Sequence, residues 1–185
     1  MLEPEKFKIS LLPVDKIEEF SKHMYQYFSR SGLDVNIIYE AHHPGYSHSS
    51  FAQIKDRILV RLNTNLESIN WGRSFIVTKE NEIIGHLSLR GANIETSLHR
   101  CSLGMGVDKE YRGNGLGMRL LKFATEWLKS ETNIDWLDLF TFSHNVAALA
   151  LYKKYGFLEL GITHDKYRID GEIIGDIQMA LRIAR

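Results

Sequence analysis

The chain has 185 residues, about one domain's worth of polypeptide. Apolar residues make up 44% and charged residues 25%, ordinary usage for a folded globular domain, which argues against disorder, coiled coil and collagen-like structure. Lys and Arg number 23 against 23 Asp and Glu, so no global charge draws the chain to nucleic acid or to an acidic membrane. The longest unbroken apolar run, Val146–Tyr152, is seven residues, whereas a membrane span needs roughly 20. The start carries no apolar signal region. A single cysteine, Cys101, makes no internal disulfide and no thiolate cluster. These features predict one domain over residues 1–185, in the cytoplasm, with no membrane or nucleic-acid partner. A homodimer is left open.

Phe7 to Leu12 predicts a first strand, stopped by Pro13. Asp15 is placed to cap a helix running to about Arg30, with Ile17, Phe20, Met24 and Phe28 at helical spacing. Residues 33 to 49 form a loop rich in His, Gly and Ser. A second amphipathic helix follows, from about Phe51 to Leu66. The period then changes. Ser74–Lys79 and Glu82–Leu89 are strands turned by Glu80-Asn81. Arg100–Val107 is another strand, and a helix runs from about Gly115 to Ser130. Trp136–Phe142 reads as a strand buried on both faces. Asn145–Tyr155 is a short helix closed by Gly156. Phe157–Tyr167 and Glu172–Leu181 form a final hairpin turned by Asp170-Gly171. The order β-α-α-β-β-β-α-β-α-β-β is a mixed α/β arrangement.

The stretch from Leu103 to Gly117 carries the chemistry. A strand ends, a short loop follows, and Arg112-Gly113-Asn114-Gly115-Leu116-Gly117 opens a long helix. Alternate glycines leave no side chains over the turn, so backbone N–H groups converge on an anion at the positive helix end. Arg112 adds a fixed charge at the rim, and the design fits a pyrophosphate. A dinucleotide fingerprint is a poor match, because Met118 stands where its third glycine belongs. A Walker loop needs Gly-Lys-Ser/Thr, which does not occur. A ligand-free turn would bear the conformational cost of three glycines for nothing.

The hexapeptide Arg112–Gly117 resembles the Arg/Gln-x-x-Gly-x-Gly/Ala signature of the GNAT superfamily of acyl-CoA-dependent N-acetyltransferases. Gly104-Met105-Gly106-Val107 resembles that family's splayed fourth strand. Asn145, Ala148, Leu151, Tyr152, Gly156 and Phe157 fall as in its Asn-x-x-Ala-x-x-Leu-Tyr-x-x-x-Gly-Phe block. The ending, Asp170-Gly171-Glu172 to Leu181, looks like the branch that modifies protein N-termini, ribosomal proteins and small amines. The likeness covers about residues 74 to 181.

The resemblance implies a mostly antiparallel central sheet, flanked by helices and splayed at the fourth strand. It implies acetyl transfer from acetyl-CoA directly to a primary amine, on a protein or peptide N-terminus or on a small amine. The cofactor-binding positions implied are Met105, Gly106, Val107, Arg112, Gly113, Asn114, Gly115, Leu116, Gly117 and Asn145. Tyr152 is implied as the catalytic acid for the leaving thiolate. Spacing adds that Asn145, Ala148 and Tyr152 share one helix face. A non-catalytic acyl-CoA sensor or scaffold is the alternative.

Many family members carry a Glu on the fourth strand as base, but His99-Arg100-Cys101-Ser102-Leu103 has no carboxylate. His86, His99 and Glu95 are the nearest titratable groups. Cys101 reads as a small buried strand residue rather than as a nucleophile. The expectation is therefore a water relay near Ser102 and His99. An α-amine suits it better than a lysine, whose reference pKa is about 10.4. His42, His43 and His48 read as solvated rather than as a metal site. With Tyr39, Tyr46 and Phe51 they frame an acceptor pocket in the expectation. No metal is expected.

Overall fold

In the computed structural model, which describes residues 7–30 and 49–184, the strands and helices follow in the order the periodicity predicts. They are β1 (Lys8–Leu11), α1 (Ile17–Ser29), α2 (Phe51–Asn63), β2 (Gly72–Lys79), β3 (Glu82–Gly91), β4 (Arg100–Val107), α3 (Leu116–Glu131), β5 (Trp136–Phe142), α4 (Val146–Tyr155), β6 (Leu158–Ile169) and β7 (Glu172–Arg182). Two expectations shift. Asp15 lies inside a short 3-10 turn, and Lys16 takes the cap position of α1 without a side-chain cap bond. Helix α2 ends at Asn63, three residues short of the expected Leu66. Its start is firm, because Ser50 and Gln53 form a reciprocal capping box.

All seven strands join one sheet in the order β1-β2-β3-β4-β5-β7-β6. Every pair is antiparallel except β4 with β5. The β2–β3 hairpin turns at Glu80 and Asn81, both at positive φ, as a tight two-residue turn requires. Successive strand residues face opposite sides, which splits the core in two. Phe75, Leu87, Leu89, Leu103, Leu137 and Leu139 pack with Leu120, Leu121 and Leu128 of α3. Ile76 and Ile83 pack with Phe20 and Met24 of α1 and Ile54 of α2. Each such fully buried side chain contributes roughly 1.5–3 kcal/mol.

The β4–β5 pair positions the site. Only Arg100, Cys101 and Ser102 pair with β5, opposite Trp136, Leu137 and Asp138. A bidentate ion pair clamps that closed end: Arg100 Nε donates to Asp138 Oδ2 at 2.8 Å, and Nη2 donates to Oδ1 at 2.5 Å. Beyond Ser102 the strands part, which is the expected splay. The expectation that β5 is buried on both faces does not hold. Leu137, Leu139 and Thr141 are buried, but Phe140 on the other face is 61% exposed. Phe140 and Phe142 of that face border a cavity instead.

Candidate active site

The glycine-rich turn takes its shape from its backbone. Gly113 and Gly115 have φ of 78° and 73°, left-handed values that L side chains rarely adopt. An added Cβ at either would meet nothing within 4 Å, so conformation and an open approach, not crowding, call for glycine there. Gly115 caps α3 without any side-chain bond, leaving the first helical N–H groups free for an anion. The Arg112 Nε donates to the Val107 carbonyl at 2.9 Å, tying the turn to the end of β4.

This turn borders a cavity of about 430 Å³. Met105, Gly106, Val107, Arg112, Gly113, Gly115, Leu116, Gly117, Asn145 and Tyr152 all line it. Asn114 does not; its amide folds back to donate to the Tyr111 and Arg112 carbonyls. Leu116 lies 2% exposed in the core, so only its backbone faces the turn. Asn145 also caps α4, its Oδ1 accepting from the Ala148 N–H at 3.2 Å. Tyr27 of α1 closes the far wall. Its ring lies 2.4 Å from where a Gly106 Cβ would stand, so glycine there admits the ring.

A second cavity, of about 470 Å³, opens on the other side of the splay. Tyr27, Met105, Asn145, Ala148 and Tyr152 line both. The predicted face of α4 therefore stands between them. Strand residues alternate in direction, so every second backbone N–H of Leu103–Val107 faces the gap without a β5 partner. Tyr152 is buried, and burial pushes its phenol up to about 12, so it stays a proton donor at neutral pH. Its hydroxyl has no hydrogen-bond partner among the described residues. The one buried, unpaired side-chain polar atom among them is Trp71 Nε1, so the Tyr152 hydroxyl opens into the cavity. Tyr155 takes the structural role instead, sharing a hydrogen bond with Thr125.

A family model described as acetyltransferase (GNAT) family matches residues 35–157. The chain belongs to this family. Among curated proteins it is 27% identical over 109 residues to the L-amino acid N-acetyltransferase AaaT of Escherichia coli, covering 58% of this chain and 67% of that one. It is 37% identical over 67 residues to the N-alpha-acetyltransferase RimI of Mycobacterium tuberculosis, covering 36% of this chain and 40% of that one. Among solved structures, yncA of Salmonella typhimurium with acetyl-CoA superposes with a TM-score of 0.78 at 13% identity, over 97% of this chain and 95% of that one. As a GNAT member the chain is an acyl-CoA-dependent N-acetyltransferase, and its named relatives favour catalysis over a sensor or scaffold role.

Within this GNAT fold the candidate bases separate. Glu95 and His99 are exposed and line none of the cavities described. Cys101 is buried, and burial pushes its thiol up, so it is no nucleophile at neutral pH. His86 and Ser102 do line the second cavity. So does Asp176 of β7, a carboxylate that the sequence reading missed. Burial raises its pKa, against Lys166 and a hydrogen bond from Tyr167. The available signal was a lone acid in the otherwise uncharged, mostly apolar run Ile173 to Met179. His42, His43, His48, Tyr39 and Tyr46 lie outside the described residues. No group of metal ligands occurs among the described residues, and no described helix is long and apolar enough to cross a membrane.

His86 is not an effective base. Its Nδ1 lies 3.1 Å from His23 Nε2, and burial followed by His23 pushes it well below the usual value. Burial and then Arg30 lower His23 to about 4. Both rings are therefore neutral in the fold but take up protons near pH 6.5 when unfolded. Stability from this pair is complete above that pH and is lost as pH falls towards 4. His23 alone should cost about 2 kcal/mol between pH 7 and pH 5. A thermal unfolding midpoint that stays level over that range would contradict this.

Proposed function

We propose that the chain transfers the acetyl group of acetyl-CoA to a primary amine through a direct attack in the β4–β5 splay. The observation that carries this reading is the pair of cavities that meet at Met105, Ala148 and Tyr152. The pyrophosphate lies on the N–H groups of Gly113–Gly117 beside Arg112, and the thioester reaches Met105–Val107. A free N–H of that stretch donates to the carbonyl oxygen as it gains charge. The amine enters from the second cavity, and its nitrogen bonds the acetyl carbon as the C–S bond breaks. Tyr152 gives its proton to the departing sulfur and recovers one from solvent. Asp176, directly or through water at Ser102, takes the proton that the amine sheds. This replaces the base-free relay expected from the sequence.

The acceptor proposed is an α-amine, a weaker base than a lysine side chain and so easier to deprotonate. We take residues 1–185 as one domain, since among the described residues one sheet carries both cavities. We place the enzyme in the cytoplasm, without a metal, where the Cys101 thiol stays reduced. The test is thiol release from acetyl-CoA over an amine panel, with the acetylated amine identified by mass spectrometry. Release matched one to one by acetylated amine supports the reading. Tight acetyl-CoA binding with no amine acetylated would return it to the sensor alternative.

A further inference from the structure

The second cavity shares wall residues with two more, and an arginine is among the residues each pair shares. One, of about 300 Å³, runs under α2 and is lined by Arg57, Arg61, Arg73 and Arg90, with no carboxylate among its described residues. The other, of about 500 Å³, is lined by Arg61, Arg90 and Arg100, with Asp138 as its acid. Asp138 is already engaged by Arg100 on two bonds. Arg90 is the one described side chain on the walls of all three cavities.

These arginines differ in what holds them. Arg73 donates to the carbonyls of Arg61, Gly72 and Thr64, and Arg57 to the Gln53 carbonyl and the Ser49 hydroxyl. The guanidinium groups of Arg61 and Arg90 have no hydrogen bond or ion pair among the described residues. Burial, then the charges of Arg90 and Arg57, push the Arg61 guanidinium down from its ordinary value. Two like charges held together without an acid are costly unless an anion joins them. The one buried unpaired polar atom, Trp71 Nε1, is also a donor, and Trp71 lines the same cavity as Arg61 and Arg90.

The position of Arg90 is informative. Its Nη2 lies 3.5 Å from where a Gly104 Cβ would stand, so the guanidinium lies over Gly104. Gly104 directly precedes Met105, where the two main cavities meet. An anion on Arg90 would therefore sit close to the attacking nitrogen. Asp176 is on another wall of the same cavity, giving it one negative and one positive pole.

We propose that Arg90, on the wall of the acceptor cavity, backed by Arg61 on the two neighbouring cavities, forms an anion-recognition site beside the thioester, so that the acceptor is a free amino acid, an amine with its own carboxylate two bonds away. This rests on the acetyl-transfer reading above. A polyamine would bring a second ammonium against the arginines. A peptide N-terminus would offer them a neutral amide in place of a carboxylate.

The test is acetyl-CoA thiol release with L-amino acids, their α-carboxamides, spermine and an alanyl peptide, using wild type, Arg61→Gln, Arg90→Gln and Arg90→Lys. Hydrogen bonds to charged groups of this kind are worth roughly tenfold to hundredfold. A free amino acid should exceed its carboxamide in kcat/KM by that factor. Each Gln variant should raise KM for the acid with kcat little changed, the carboxamide moving far less, and Arg90→Lys should restore part of the loss. Should Arg90→Gln fail to fold, Arg61→Gln, half-buried on a surface helix, gives the same reading. Carboxamide, spermine or peptide used as well as the acid overturns the anion site while leaving acetyl transfer intact. Unchanged KM in both Gln variants does the same. Thiol release from none of the amines, with acetyl-CoA bound, overturns the acetyl-transfer reading itself.

Discussion

Tyr152→Phe should lower turnover by roughly 10²-fold, the usual effect of losing one hydrogen bond made chiefly in the transition state. The ring is buried and packs edge-on against Phe157, with centroids 5.5 Å apart. Phenylalanine keeps that packing and removes only the hydroxyl. Because the hydroxyl has no partner among the described residues, its removal strands no buried group. Thermal stability and acetyl-CoA affinity should then barely move. Steady-state kinetics on an amine the enzyme acetylates, with calorimetry for acetyl-CoA, check the split. Turnover within about threefold of wild type, against that expectation, would remove Tyr152 from proton transfer.

Asp176→Asn should cost more, roughly 10² to 10⁴ in kcat/KM, the range for loss of a positioned general base. Burial raises the Asp176 pKa, so the wild-type acidic limb should lie above the ordinary carboxylate range. Activity should rise with pH through that limb as the carboxylate ionises, then again as the amine loses its proton. In the Asn variant the first rise should vanish and the second should follow the pKa of the amine supplied. A variant with near wild-type turnover and an unchanged profile would mean that water alone carries the proton.

The difference between Tyr152 and Asp176 shows what was legible in the sequence. Tyr152 belongs to a local motif whose i, i+3, i+7 spacing puts Asn145, Ala148 and Tyr152 on one helix face, and one short helix realises it. The glycines of the turn are legible for the same reason: their need for positive φ is local. Strands β4 and β5 run from Arg100 to Val107 and from Trp136 to Phe142, as their apolar patterns predict. Asp176 reaches the site only because β7 pairs with β5, four strands later in the sheet than β2 but next to the splay. Arg61 and Arg90 meet because α2 lies on β2 at Gly72, where an added Cβ would stand 2.8 Å from Arg61 Cβ. Such meetings depend on register and packing between distant segments, which periodicity does not encode. The reading of β5 as buried on both faces failed likewise, since an apolar cavity wall and a core face have the same composition.

The central claim, that acetyl-CoA lies on the glycine turn at the start of α3, is tested most directly by calorimetry of acetyl-CoA on wild type and Gly115→Val. Gly115 has a φ of 73° and open space around it. Valine there strains the turn by on the order of 1–2 kcal/mol and sets two methyl groups where the phosphates approach. The account predicts a folded variant, by circular dichroism and thermal unfolding, whose acetyl-CoA affinity falls at least tenfold. A folded Gly115→Val protein that binds acetyl-CoA as tightly as wild type would contradict it.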